Sequence, residues 1–366
     1  MHIIKNYLAI LIIFGVGCSN SEDNPQTPID ETIYFPPLTG EVWETVSPES
    51  LGWDTTEISN LENFLSINGT RAFILLKNGK IVYENYWGNN ITNTAPFDRN
   101  KIWYWASAGK TVTALLTGIA QEEGLLNIND KTSDYLGLGW TQAPLEKENL
   151  IKIKHQLSMT TGLDYLVPGL DCTAPNCLHY KSDAGTQWYY HNAPYTLLEN
   201  VISEASGMSY NQFTQEKLKS KIGMDGQWIQ VENNQVYWST ARAAARFGLL
   251  ISNNGIWNNQ AVISDTEYMN SMVTSSQSLN PSYGYLWWLN GKSSTIFPSS
   301  PLSFPISIAP NAPADTFVAM GKNGQFIGIV PSQDLVYIRM GEAPDDALVP
   351  INFHNQMWQI LNQIFD

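Results

Sequence analysis

The chain has 366 residues, 43% of them hydrophobic and 15% charged, enough to bury a large core in one big domain or two interleaved ones. Its 34 acidic residues against 20 basic ones leave a net charge of −14. No Lys/Arg cluster offers a path for a phosphate backbone, so nucleic acid is set aside as a partner.

In chain order, the segment MHIIKNYLAILIIFGVGCSNSEDN carries Lys5 and then an apolar run from Leu8 to Val16, too short for a membrane span. It reads as a signal peptide over residues 1–18. Gly17 directly precedes Cys18, as in a bacterial lipobox, although Gly15 stands where a leucine is usual. Lipidation of Cys18 is therefore expected, which would anchor an exported protein to a membrane of the bacterial cell envelope. An ordinary secretory signal or a short buried helix is the competing reading. Residues 19–42 are polar, acidic and proline-containing and read as a flexible tether, leaving 43–366 as the folded domain.

That domain opens with WDTTEISNLENFL, where Asp54 or Thr55 caps a helix carrying Ile58, Leu61, Phe64 and Leu65 at helical spacing. RAFILLKNGKIVYENYWG follows as two strands joined at Asn78-Gly79, a strong hairpin signal. Next comes IWYWASAGKTVTALLTGIAQEEG, in which Ser107 stands three residues before Lys110 at the mouth of a helix. Val112, Leu115, Leu116 and Ile119 mark its apolar face and Gly124 its end. A serine hydroxyl becomes a nucleophile when a base takes its proton, and a lysine can serve if its pKa is lowered. Taken alone, the pair equally suits an N-cap serine and a surface lysine.

Residues 127–254 are mostly helical in pattern and read as an insertion. Within them LDCTAPNC places Cys172 and Cys177 five residues apart, and in an exported protein a small-loop disulfide is plausible beside two free thiols. His179 alone is poor support for zinc, and no metal or organic cofactor is expected. Further on, Tyr190 and Asn192 flank His191 as the chain enters a helix. A tyrosine beside a cationic lysine is expected to have a lowered pKa and to shuttle a proton, and the Asn192 amide could hold the lysine or a substrate carbonyl. Core packing is the alternative for this aromatic stretch.

Near the C-terminus DTFVAMGKNGQFIGIVPSQDLVYIRMG reads as three strands, with Gln333-Asp334 turning the last hairpin, and an amphipathic helix closes the chain. Gly321 and Gly324 suggest close backbone approach to a ligand, with the Lys322 N–H as partner to the Ser107 N–H in an oxyanion hole; a glycine bulge is the alternative. Trp287, Trp288, Tyr283 and Tyr165 are candidates to line an apolar cleft or, equally, the core. Strands at both ends around a helical middle predict an α+β fold whose sheet is assembled from N- and C-terminal segments.

In this order, Ser107-x-x-Lys110, Tyr190-x-Asn192 and the strand around Gly321 resemble the serine β-lactamase and penicillin-binding-protein superfamily. The similarity is to its class C-type branch, with esterases, D-alanyl-D-alanine carboxypeptidases and hydrolases like 6-aminohexanoate-dimer hydrolase, and it runs from about residue 51 to the C-terminus. The resemblance implies an antiparallel sheet flanked by helices, an acyl-Ser107 intermediate, Lys110 as base, Tyr190 as second proton carrier and Asn192 as its partner. It implies a small ester, amide or peptide as substrate. One departure is Ala319-Met320-Gly321-Lys322 where many relatives carry Lys-Thr-Gly or His-x-Gly, which puts β-lactam and cell-wall peptide recognition in doubt. A non-catalytic receptor or scaffold for cell-wall fragments is the alternative function.

Overall fold

The structure is a computed structural model and describes residues 33–365. The signal peptide read over 1–18, Cys18 and the first part of the tether lie outside the described residues. The tether extends less far than its composition suggests. Tyr34 N–H donates to the Asn78 carbonyl at 2.9 Å, Arg246 Nη2 donates to the Pro37 carbonyl at 2.8 Å, and Phe35 meets the Trp257 ring edge-on at 5.1 Å. Residues 33–37, assigned from composition to the tether, are thus part of the domain. Apolar Phe35 and a paired backbone outweigh the polar neighbours.

The strands Thr70–Lys77 and Lys80–Tyr86 form the expected hairpin, with Asn78 and Gly79 both at positive φ, 49° and 77°. A side chain at 79 would also lie 1.9 Å from the Tyr34 carbonyl oxygen, so glycine admits the N-terminal segment as well as the turn. This hairpin joins strands from the far end of the chain. The sheet runs, edge to edge, Lys80–Tyr86, Thr70–Lys77, Leu335–Gly341, Gln325–Val330, Phe317–Gly321 and Trp288–Leu289, every pair antiparallel. The fold is α+β, and its sheet is assembled from N- and C-terminal segments.

Alternation along Leu335–Gly341 divides the layers. Tyr337 points to the C-terminal helix Ile351–Phe365, meeting Trp358 edge-on at 5.4 Å and sharing a 2.6 Å hydrogen bond with His354 Nε2. The helix Ile58–Ile67 joins that layer through Phe64 stacked on Phe353 at 5.0 Å. Val336 and Ile338 face the other way, onto the helix Ala241–Ser252, where a Cβ on Gly248 would lie 2.6 Å from Val336 Cγ1. That helix is a layer of the sheet sandwich, a correction to the helical insertion drawn over 127–254. The insertion also holds the strands Gln227–Val231 and Asn234–Ser239, which pair with each other, and the second pairs with Trp103–Tyr104 to complete a three-stranded sheet. A period of 3.6 residues cannot tell a helix that covers a sheet from one in a separate lobe.

The helix Lys110–Glu122 is buried on every side from Lys110 to Ala120. Its sequence looks amphipathic because the second face is made of small and hydroxyl residues. Thr111 and Thr117 hydroxyls donate back to the Ala108 and Thr113 carbonyls, Thr113 shares a hydrogen bond with the Tyr210 hydroxyl, and Gly118 lies under the Tyr268 ring. Polar-looking residues satisfied this way are compatible with a core.

Candidate active site

Ser107 lies in the 3₁₀ turn Ala106–Gly109 that leads into the helix Lys110–Glu122. The residue before it, Ala106, has φ 48°, a left-handed conformation that alanine rarely adopts. The surroundings hold it there: Trp105 is buried, its N–H donates to the Tyr237 carbonyl at 2.8 Å and its indole Nε1 to Ser239 Oγ at 2.8 Å. A sharp, strained turn just before a nucleophile is a recurrent way to project a side chain into a cleft.

The helical spacing does bring the amine to the hydroxyl. Lys110 Nζ donates to Ser107 Oγ at 2.9 Å, while the side chain as a whole is 3% exposed. Burial lowers its pKa from 10.5 to about 7, against the opposing pull of the Asp171 carboxylate. The ammonium also lies over two phenol rings, 4.1 Å from the centroid of Tyr195 and 5.1 Å from that of Tyr190. Tyr195 was not singled out from sequence. The only signal was its place one helical turn after the Tyr190-x-Asn192 segment.

Tyr190 is buried and backed by Trp288, stacked on it at 5.9 Å, and by Tyr283 edge-on at 6.2 Å. Its pKa is raised, by burial first; the approach of the Ser107 hydroxyl pulls it down and Asp171 pushes it up. This corrects the lowered value expected from a cationic neighbour. Desolvating a phenolate costs more here than a half-neutral lysine returns. Tyr190 therefore holds its proton at neutral pH.

Asn192 begins the short helix Asn192–Thr196, and its Nδ2 donates to Asp171 Oδ1 at 2.6 Å. The carboxylate can only accept, so the amide orientation is fixed, and Oδ1 is buried without a hydrogen-bond partner. One of the two amide N–H groups is thus taken by Asp171, while the second N–H and the unpaired Oδ1 remain on a residue that lines the cavity with Lys110. Asp171 is the residue that sequence reasoning missed. It sits immediately before Cys172, which is bonded to Cys177 in a disulfide. The alternative of two free thiols does not describe this structure.

On the sheet side, Gly321 ends the strand Phe317–Gly321 against the Ser107 turn. A Cβ there would lie 2.4 Å from the Trp105 carbonyl oxygen and 3.1 Å from the Ala108 nitrogen. The close approach is to the Ser107 turn rather than to a ligand; Gly321 itself does not line the cavity, whereas the next residue, Lys322, does. Ser107, Lys110, Tyr190, Asn192, Asp171 and Lys322 all line one cavity of about 380 Å³. Its outer wall comes from Val231–Val236, Pro298, Ser299, Leu348 and Val349.

Three expected contributors stand elsewhere. Gly324, at φ 74°, turns the hairpin after Lys322, and a Cβ on it would meet Arg339 Nη1 at 2.6 Å rather than the cleft. Trp287 is fully buried, stacked on Phe247 and edge-on to Phe317, so it is core. Tyr165 stacks on Tyr189 at 3.9 Å beneath Lys181, outside the cavity lining. Trp288 and Tyr283 are second-layer supports behind Tyr190. His191 lines a separate small cavity with Met159 and Leu163, and burial lowers its pKa to about 4. Among the described residues no group of His, Cys, Asp and Glu is arranged to hold a metal ion.

The antiparallel sheet places the Ser107-x-x-Lys110 turn and the Tyr190-x-Asn192 segment around one cavity. The Beta-lactamase family profile matches residues 69–346 of this chain, which belongs to that family. The chain is 28% identical over 175 residues to penicillin-binding protein 4* of Bacillus subtilis (strain 168), covering 43% of this chain and 37% of that protein. Over 167 residues it is 25% identical to a beta-lactamase of Escherichia coli (strain K12), covering 44% and 43%. These alignments span less than half the length of either relative. In fold it is similar to a Bacillus anthracis protein provisionally assigned as a 6-aminohexanoate-dimer hydrolase, with TM-score 0.68, 17% identity and coverage of 90% of this chain and 89% of that one. A penicillin-binding protein homologue from Caulobacter crescentus gives TM-score 0.66 at 13% identity, covering 88% and 99%.

Proposed function

We propose that the chain hydrolyses a small ester or amide through an acyl-Ser107 intermediate. The observation that carries this reading is the 2.9 Å contact between Ser107 Oγ and a buried lysine whose pKa lies near neutrality. Neutral Lys110 takes the Ser107 proton as Oγ attacks the carbonyl carbon. The developing oxyanion is bound by the Ser107 and Lys322 backbone N–H groups. Tyr190, protonated at rest, gives its proton to the leaving alcohol or amine and is reprotonated from Lys110. Water then attacks the acyl carbon, its proton passing to the same pair, and as the acyl–Oγ bond breaks that proton goes to Ser107 Oγ, which restores the free hydroxyl.

Esters rather than β-lactams are the favoured substrates, because the strand ending at Gly321 lacks a Lys-Thr pair for a substrate carboxylate. Short-chain nitrophenyl esters, linear amides and nitrocefin, assayed with wild type and Ser107→Ala, test the reading. Ester turnover that vanishes in Ser107→Ala supports it. Nitrocefin turnover rivalling the best ester would reverse the preference, and folded wild type inert to every ester and to a fluorophosphonate would favour a binding role instead.

We also propose that Cys18 carries lipid and tethers the domain to the bacterial envelope. Cys18→Ser is expected to move the protein into the soluble fraction, and unchanged membrane partitioning would overturn this.

A further inference from the structure

Lys110 must be neutral to accept a proton and must then carry charge inside a dry cavity. A buried ammonium is costly unless an anion is near. Among the described residues, Asp171 is the one carboxylate whose charge reaches Lys110 appreciably. The phenols of Tyr190 and Tyr195 face the amine from the segment entering the helix Asn192–Thr196, and Ser107 faces it from its own turn. Lys322 and Glu232 lie on the cavity wall.

Asp171 belongs to no regular element, so its place needs separate fixing. Its Oδ1 accepts from Asn192 Nδ2 at 2.6 Å, and the neighbouring Leu170 carbonyl accepts from Ala193 N–H at 2.9 Å. These two bonds dock the loop on the first turn of the helix that follows Tyr190. On the other side the Cys172–Cys177 disulfide begins one residue after Asp171 and closes the loop on itself. Within the loop, Cys172 N–H donates to the Gly169 carbonyl at 3.1 Å, and beyond the disulfide Leu178 is fully buried.

Resting on the hydrolase reading above, we propose that Asp171 is a positioning residue for the Lys110 base, presented by the disulfide-closed loop and anchored through Asn192. The anion stabilises the ammonium that forms during acylation, and Asn192 keeps it at the right distance. This gives the disulfide a part in the active site, and Asn192 a role through Asp171.

Asp171→Asn separates charge from shape, because its side-chain oxygen can still accept from Asn192. The rate of Ser107 labelling by a fluorophosphonate is measured from pH 5 to 9. The midpoint of the acidic limb is expected to fall, by up to about one pH unit, because a negative charge facing the same cavity favours the ammonium and its removal does not. The plateau is expected to fall as well, because a weaker base works more slowly. The double variant Cys172→Ser/Cys177→Ser, melting within a few degrees of wild type, is expected to move the midpoint the same way. A merely structural loop would lower the plateau at an unchanged midpoint, and that result in Asp171→Asn overturns the proposal. Titration of ¹³Cε-labelled Lys110 by NMR in the Ser107→Ala background, with and without Asp171→Asn, reads the same shift without turnover. An unshifted Lys110 there overturns the proposal even if catalysis is normal. An inert wild type with a shifted Lys110 would instead leave Asp171 in its role and remove the hydrolase reading.

Discussion

The two walls of the cleft are built differently. The wall carrying Ser107 and Lys110 is made of a buried helix and a sheet strand whose backbones touch: a methyl group on Gly321 would already collide with the Trp105 carbonyl. The opposite wall, with Asp171, Val231–Val236 and Pro298, comes from loops and a hairpin tip, and Val231 is 45% exposed. Ser107 and Lys110 sit on a turn and a helix that cannot shift without disturbing the core, while much of the opposite wall, Val231 and Pro298 included, sits where sequence can change cheaply. Atoms that must stay within a fraction of an ångström need the first kind of support.

Substitutions on the rigid wall are therefore expected to cost most. Ser107→Ala should abolish fluorophosphonate labelling altogether, and Lys110→Ala should reduce labelling and ester turnover by about 10²–10⁴-fold, the usual worth of a positioned acid or base. Tyr190→Phe is expected to lose turnover on the same scale, about 10²–10⁴-fold, with melting nearly unchanged, because the ring still fills its place against Trp288. Equal rates for the phenylalanine variant would put the proton path elsewhere.

Gly321→Val tests the contact between strand and turn. The new side chain must displace the Trp105 carbonyl, so stability is expected to fall by about 1–3 kcal/mol. Labelling should slow further than that loss of folded protein explains. Thermal melting and labelling on one sample separate the two effects.

The buried amine also makes a prediction about stability. Its folded pKa of about 7 lies below the ordinary 10.5, so the folded state binds fewer protons than the unfolded one between those limits. The burden is full below about pH 7 and is relieved as pH rises toward 10.5. Lys110→Met should accordingly raise the melting temperature, more at pH 6 than at pH 10. In catalysis the same value predicts an acidic limb for kcat/KM centred near pH 7 in wild type. The smallest effects are expected from His191→Ala and Tyr165→Ala, whose side chains lie outside the main cavity; ester turnover should stay within about threefold. A loss in His191→Ala comparable to that in Tyr190→Phe would break the division between the two sides of that segment.

Much of this was legible from residues alone. The hairpin at Asn78-Gly79, the meeting of Ser107 and Lys110 one turn apart and the assembly of a sheet from both ends follow from local rules. Turn chemistry, helical pitch and strand alternation act over a few residues and leave marks in the sequence. What a side chain faces across the fold leaves none. Trp287, Tyr165 and Gly324 had the right composition for a binding cleft and ended in the core, under Lys181 and at a turn beside Arg339. Asp171, read only as part of a cysteine loop, arrived in the cavity of the amine through its own bond to Asn192 and that of neighbouring Leu170 to Ala193. The direction of the Tyr190 pKa was decided by burial, a sum over many distant contacts that no motif encodes. The sequence by itself determined which groups could react; only the tertiary structure decided how dry their surroundings are, and with that which of them holds its proton at neutral pH.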